Sequence, residues 1–331
     1  MRAAMVEGKR KVVIKEVPEP IPDKDEVLIR VRYCGICGSD LHIYKEGAGI
    51  GVGHEFSGDI VAIGLDVTGW EVGDRVAVDP HLSCGECYWC RRGEIGLCEE
   101  RYVALVEYKG AFATCAKAKC NRLYKLPDAL SYEHAAIVEP TAGALHAIRL
   151  SEMHEGDVVA VLGLGPIGQL AARVARALGA KAVYATETSQ SRIELAGNVV
   201  DEVIDVNVAN PVDRILELTG GVGPDIVLEC AGNVSTTQES IALVRKGGTI
   251  VVAGICFDWV EVPISNIVLR GLTLKGSISW TEGEYASAFN LIKDRRIYVD
   301  PLLTCKMPLD DINEAFEKAL RGEGGVILVE P

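Results

Sequence analysis

The chain has no apolar run approaching the roughly 18–20 residues that a membrane-spanning helix needs, and its first residues, MRAAMVEGKRKVVIKEV, hold no apolar signal-peptide core. Neither a membrane protein nor a secreted one is expected, and a cytoplasmic location is. Positive charge is scarce as well: 34 lysines and arginines face 47 aspartates and glutamates, for a net charge of −13. The longest basic run is Lys9 to Lys11. Binding to nucleic acid or anionic lipid rests on lysines and arginines that neutralise phosphates, so neither is an expected partner. The acidity reads as a solvated surface. No internal repeat, flexible linker or low-complexity tract interrupts the chain. What remains is an ordinary globular balance, 48% hydrophobic and 24% charged over 331 residues, long enough for about two domains of roughly 100–200 residues.

Eleven cysteines are present, an odd number, and seven of them (Cys34, Cys37, Cys115, Cys120, Cys230, Cys256, Cys305) are scattered. In a chain of this size without a secretory signal, a disulfide framework is not expected. The other four lie in CGECYWCRRGEIGLC, with the spacing C-x2-C-x2-C-x7-C: Cys84, Cys87, Cys90 and Cys98. Four thiolates in one short loop can surround one ion tetrahedrally and leave no open position, which makes such a zinc structural. An iron–sulfur cluster is the competing reading, because C-x2-C-x2-C also begins the bacterial ferredoxin pattern. That pattern continues x3-C-P, whereas here the gap is seven and Glu99 follows Cys98. Zinc is favoured.

A second set of donors is spread over three segments. YCGICGSDLH and GVGHEFSG supply Cys37, His42, His54 and Glu55, and AIVEPTAGALHA adds Glu139. Thiol, imidazole and carboxylate from separate segments are what a catalytic zinc uses, with one position left for water or substrate. Each residue taken singly has a plainer reading. Cys37 could simply be buried, His54 could sit satisfied in a turn, and Glu139 could stabilise a helix N-terminus. The surrounding Gly35, Gly38, Gly51, Gly53 and Gly58 permit the close turns that such a site needs.

From Asp157 the chain reads DVVAVLGLGPIGQLAARVARALGA. A buried strand, VVAVLG, leads into G-x-G-x-x-G at Gly163, Gly165 and Gly168. Ile167, Leu170, Ala171, Val174, Ala175 and Leu178 then recur at helical spacing, and Gly179 ends the helix. The next strand, KAVYAT, leads to Glu187, nineteen residues after Gly168. Strand, glycine turn, helix, strand and acid in this order point to a dinucleotide, its pyrophosphate at the helix N-terminus and its adenosine ribose on the acid. A carboxylate there repels a 2′-phosphate, so NAD is favoured over NADP. A ligand-free tight turn is the alternative. Further strand-like runs at 201–206, 224–230, 248–255 and 272–278, the first four separated by helical stretches, imply a doubly wound parallel sheet over about 142–280. Before it, KVVIKEV, EVLIRVRY, SGDIVAIG and DRVAVDP read as a β-rich domain. After residue 281 the pattern shows one helical segment, PLDDINEAFEKALRG, and a last strand, GVILVEP.

Together CGICGSDLH, GHEFSG, the four-cysteine lobe, VEP, GLGPIG and LECAG…LVRKGGTIVVAGI resemble the zinc-dependent medium-chain alcohol dehydrogenases over nearly the whole chain. The resemblance is greatest to the branch of 2,3-butanediol, sorbitol and threonine dehydrogenases. It implies an α/β protein. A discontinuous GroES-like catalytic domain (1–141 and 281–331) carries the zinc lobe 84–98, a Rossmann domain spans 142–280, and the active-site cleft lies between them. It implies Cys37, His54 and Glu139 as catalytic-zinc ligands, with Glu55 able to approach the metal, and Cys84, Cys87, Cys90 and Cys98 around the structural zinc. Asp40 matches the acid that orients the ligand histidine, and Ser39 and His42 match a proton relay. Glu187 and Arg192 match a pair at the adenosine ribose, and Gly163, Gly165, Pro166, Ile167 and Gly168 the pyrophosphate turn. Cys230, Ala231, Gly254, Ile255, Ile278 and Ser279 fall at further cofactor contacts, with Ile255 and Ser279 at the nicotinamide.

The activity implied is oxidation of a secondary alcohol, a vicinal diol or polyol, with zinc and NAD. Threonine or sorbitol is an alternative substrate, and a non-catalytic NAD-binding protein on the same fold is a further alternative. The partners expected are a small-molecule alcohol and copies of the chain, in a homodimer or homotetramer. The segment between Leu41 and His54 is shorter than in the family, where a longer loop helps enclose the substrate.

Overall fold

Short β-branched runs separated by turns become an antiparallel framework in the first part of the chain. In the computed structural model, which describes residues 1–47, 51–100, 102–103 and 110–331, Glu26–Gly35 is the central strand. It pairs antiparallel with Glu55–Ile63, with Cys115–Lys119 and with the C-terminal strand Ile327–Glu330. The sheet continues through Arg75–Val78 to Leu123–Lys125 on one side, and ends at Cys305–Pro308 on the other. Val27, Ile29, Val31, Phe56, Ile60 and Val76 fill the core of this unit. Phe316 closes it from the helix Ile312–Leu320, 4.8 Å from Tyr44 and 5.8 Å from Phe112 between ring centres. The register pairs Gly35 with Glu55.

The second unit is a six-stranded parallel sheet. Counted along the chain, its strands lie in the order 3-2-1-4-5-6: Glu202–Asp205, Ala182–Glu187, Val158–Leu162, Ile226–Glu229, Thr249–Val252 and Thr273–Gly276. Helices pack against the sheet, so the central strands are apolar at nearly every position. Val159, Ala160, Val161 and Leu162 are all fully buried. This is the Rossmann order, whose ligand crevice opens at the carboxyl ends of the strands where the winding reverses. By contact the chain divides into Met1–Pro140, Thr281–Arg295 and Val299–Pro331 as one unit, and Thr141–Trp280 with Arg296–Tyr298 as the other.

One sequence expectation needs correction. The segment after residue 281 holds two helices, not one: Glu284–Lys293 precedes Ile312–Leu320, and the strand Cys305–Pro308 lies between them. The missed helix starts from Gly283 in the left-handed conformation rather than from a serine, threonine or aspartate cap. The Glu284 carboxylate accepts the Thr281 amide instead, at 2.7 Å. Its buried face of Tyr285, Ala288, Phe289 and Ile292 is helical in period but carries no conventional start signal. The short segment between Leu41 and His54 is helical as far as Glu46, and its residues 48–50 lie outside the described residues. Among the described residues, no helix is long and apolar enough to cross a membrane.

Candidate active site

Cys37 caps the N-terminus of the helix Gly38–Glu46. Three residues on, the fully buried Asp40 turns back. Its Oδ2 accepts the Cys37 amide at 3.0 Å, and its Oδ1 accepts the Gly53 amide at 3.1 Å. One carboxylate thus ties together the two segments that carry Cys37 and His54. Asp40 Oδ1 also lies 3.6 Å from His54 Nδ1, too far for a hydrogen bond, and that nitrogen is buried with no partner among the described residues. The Cys37 sulfur, a His54 ring nitrogen and a Glu55 carboxylate oxygen all lie within 4.8 Å of one another. Glu139, in the first turn of the helix Val138–Leu150, brings Oε1 to 3.8 Å from His54 Nε2. It stands beside the three-residue group rather than within it.

Glu55 reaches this position because its cross-strand partner is glycine. A Cβ on Gly35 would lie 2.3 Å from Glu55 Oε2, so any side chain there would displace the carboxylate. The electrostatics are those of a site built for a cation. Burial, with Glu139 alongside, pushes Glu55 up to about 8, and burial pushes Glu139 up to about 7. Burial also raises the Cys37 thiol. Burial disfavours the His54 imidazolium, but Asp40 and Cys37 outweigh it and the net shift is upward. Among the described residues, neither glutamate pairs with lysine or arginine. Buried carboxylates without such a partner are costly, and a divalent ion held by sulfur, nitrogen and oxygen would offset that cost. The donor set fits zinc with an open position.

The four-cysteine lobe is a second and different centre. Cys84, Cys87, Cys90 and Cys98 are all free thiols with mutually close sulfurs. Cys84 Sγ lies 3.9 Å from Cys90 Sγ and 3.6 Å from Cys98 Sγ. A tetrahedron with metal–sulfur bonds of ~2.3 Å has edges of about 3.8 Å, so these spacings suit a single zinc ion. Backbone amides already point at the sulfurs, from Cys87 to Cys84 at 3.3 Å and from Cys84 to Cys98 at 3.4 Å. The Cys90 amide, chiefly, draws Cys87 down to about 7, which favours the thiolate that a metal needs.

The dinucleotide elements assemble at the carboxyl ends of the parallel strands. Gly163 leaves the strand Val158–Leu162 at φ +91°, Gly165 caps the helix Pro166–Ala177, and Pro166 occupies its first turn. A Cβ on Gly168 would sit 1.9 Å from the Gly163 carbonyl oxygen, so only glycine lets helix and turn approach. Beside them opens a cavity of about 340 Å³, lined by Gly163, Gly165, Glu187, Arg192, Cys230 and Ala231. Thr186, Thr188, Val206, Asn233, Ser235, Thr236 and Glu239 line it too. Glu187 Oε2 accepts the Leu164 amide at 2.9 Å, and Oε1 accepts the amides of Thr188 at 2.7 Å and Ser189 at 2.9 Å. Arg192 stands 4.0 Å from that carboxylate, and its Nε has no partner among the described residues. Burial raises the Cys230 thiol steeply.

Comparison with known proteins adds to this geometry. Residues 166–294 match the family described as "Zinc-binding dehydrogenase", and residues 23–128 match the "Alcohol dehydrogenase GroES-like domain". A sorbitol dehydrogenase of Halalkalibacterium halodurans is 34% identical, over 98% of this chain and 97% of its own. The chain belongs to the zinc-dependent medium-chain alcohol dehydrogenases. Two solved relatives match over the length of this chain. The 2R,3R-butanediol dehydrogenase of Bacillus subtilis has a TM-score of 0.89 at 32% identity, covering 100% of this chain and 99% of that one. A zinc-binding dehydrogenase of Sinorhizobium meliloti bound to NADP has a TM-score of 0.93 at 30% identity, with the same coverage.

This dehydrogenase is therefore a zinc-dependent oxidoreductase of alcohols or polyols that works with a nicotinamide cofactor. The remaining residues singled out in its sequence are distributed as follows. Ser39 and His42 are three apart on the helix Gly38–Glu46 and so share one face of it. Pro166, Ile167 and Gly168 form the helix start behind the cavity rather than its wall. Gly254, Ile255, Ile278 and Ser279 do not line the cavity either. Ile255 and Ile278 are exposed, and Ser279 holds a left-handed φ of +57°. Sequence reasoning missed the wall formed by Asn233, Ser235, Thr236 and Glu239. Its one local cue is Asn233, which accepts the Thr236 amide as the cap of the helix Val234–Leu243.

Proposed function

We propose that the enzyme oxidises the secondary alcohol of a vicinal diol or related polyol to a ketone, with NAD as the cofactor. One observation carries the reading: a buried set of thiol, imidazole and carboxylates with, among the described residues, no lysine or arginine to neutralise it. Cys37, His54 and Glu139 would hold the catalytic zinc, with Glu55 able to approach it; the ion would supply Lewis acidity toward the alcohol, and the dinucleotide the hydride acceptor. Asp40 fixes the two ligand-bearing segments. Ser39 accepts the alcohol proton at its hydroxyl oxygen as it gives up its own, and His42, one turn along the same helix face, passes a proton toward solvent. Glu187 would accept from the adenosine ribose hydroxyls and keep a 2′-phosphate away. The names of the relatives, a sorbitol and a butanediol dehydrogenase, favour vicinal hydroxyls. The test is NADH formation with 2,3-butanediol, sorbitol, xylitol and threonine, ranked by kcat/KM. Diols or polyols lead on this account, and a threonine preference would overturn the substrate assignment.

We also infer a cytoplasmic enzyme that assembles with copies of itself. Among the described residues, the strand Thr273–Gly276 pairs only with Thr249–Val252 and ends the sheet. Leu274 on it and Ile264, Val268 and Leu269 on the helix Ile264–Arg270 are all exposed. An apolar helix face beside an open strand edge suits isologous pairing about a two-fold axis. Sedimentation equilibrium should give at least twice the 35.6 kDa chain mass, and Val268→Glu should lower it. A monomeric wild type would contradict the inference.

A further inference from the structure

The wall of the dinucleotide cavity that follows the strand Ile226–Glu229 is held by one buried residue that the mechanism does not use. Glu229, the last residue of the strand Ile226–Glu229, is fully buried. Its Oε1 accepts three hydrogen bonds: from the Ala231 amide at 2.9 Å, the Gly232 amide at 2.8 Å and the Thr236 hydroxyl at 2.7 Å. Its backbone carbonyl accepts the amides of Ala253 at 2.8 Å and Gly254 at 2.9 Å. One residue thus holds both the turn after its own strand and the turn after Thr249–Val252.

Its second oxygen has no hydrogen-bond partner among the described residues. That oxygen faces Gly254, where an added Cβ would lie 2.7 Å from it and 2.2 Å from the Gly232 amide nitrogen. The two turns therefore pack backbone against backbone over the carboxylate. The held turn in turn presses on the glycine motif, since a Cβ on Gly163 would meet that of Ala231 at 2.9 Å. Ala231 and Thr236 line the cavity directly. A carboxylate in this place orders a wall that a neutral apolar residue would leave as unpaired amides.

We propose that Glu229 is a positioning residue for the dinucleotide. It fixes the 230–236 wall at the distance from Gly163 that the bound cofactor requires, without touching the cofactor itself. The inference rests on the dinucleotide occupying this cavity. The test is fluorescence titration of NADH against the zinc-loaded full chain, alongside zinc content and the KM for alcohol at saturating NAD. Glu229→Ala should raise the Kd for NADH by about tenfold or more, as expected when several buried donors lose one charged acceptor. The KM for alcohol and the zinc content should stay as in the wild type. Glu229→Gln, whose amide oxygen can take the same donors, should stay within about threefold of the wild type.

A folded Glu229→Ala that binds NADH within about twofold of the wild type overturns the proposal. If Glu229→Ala does not fold, Thr236→Val and Thr236→Ser decide. The valine variant loses one donor to Glu229 and should weaken NADH, serine should restore it, and equal binding by the two overturns the proposal. A wild-type chain that fails to bind NADH refutes the cofactor assignment instead.

Discussion

Cys37→Ser lowers kcat/KM for alcohol oxidation by about 10³-fold or more. The Lewis acidity that a correctly held metal supplies is worth several kcal/mol, and about 4 kcal/mol corresponds to a factor of about 10³. Serine at this position separates ligation from folding. Cys37 is the N-cap of the helix Gly38–Glu46, and serine is among the preferred N-cap residues, so the helix and the Asp40 tether persist. A hydroxyl, however, does not ionise near neutral pH and cannot replace a thiolate ligand. The Kd for NADH should be unchanged, because Cys37 and the dinucleotide cavity belong to different units. Steady-state kinetics and NADH titration on the same preparation check both halves. Full turnover by Cys37→Ser removes the thiol from the site.

Glu187→Ala weakens NAD by about 10- to 100-fold, the size expected when a hydrogen-bonding carboxylate worth roughly 1.5–3 kcal/mol is lost. It also relaxes the discrimination against NADP, since the charge that opposes a 2′-phosphate is gone while Arg192 remains 4.0 Å from the vacated carboxylate position. The substitution also strips the acceptor from the amides of Leu164, Thr188 and Ser189. Glu187→Gln is therefore the needed control: its amide oxygen keeps part of that network and loses only the charge. Both variants should shift the ratio of kcat/KM for NAD over NADP in the same direction. An unchanged ratio in both would refute the role given to Glu187.

These residues were legible in the sequence to different depths, for physical reasons. Gly163, Gly165, Gly168 and Glu187 are fixed by local geometry, a strand running into a turn, a helix and a second strand, so spacing alone exposes them. The four cysteines of the lobe are readable for the same reason, and all four sulfurs converge. Cys37, His54 and Glu55 come from separate segments, and residue type only hinted at their meeting. What brings Glu55 in is the cross-strand register that sets it opposite Gly35, and register over twenty residues is not written in either segment alone. Glu229 is harder still. In LECAG it reads as one more polar residue at a strand end, and only the packing reveals it as the acceptor shared by the turn after its own strand and the turn after Thr249–Val252. The helix Glu284–Lys293 was hidden because Gly283 begins it, and glycine signals a stop more often than a start.

Two metal centres of different kinds are expected, one closed by four thiolates and one open, at Cys37, His54 and Glu139 with Glu55 beside them. The most direct measurement is the zinc content of the purified wild type and of Cys37→Ser, by elemental analysis against protein concentration. Two zinc ions per chain in the wild type and one in the variant are expected, with NADH still binding to both proteins. One zinc ion per chain in each would leave only the four-cysteine lobe occupied and would contradict a catalytic zinc at Cys37.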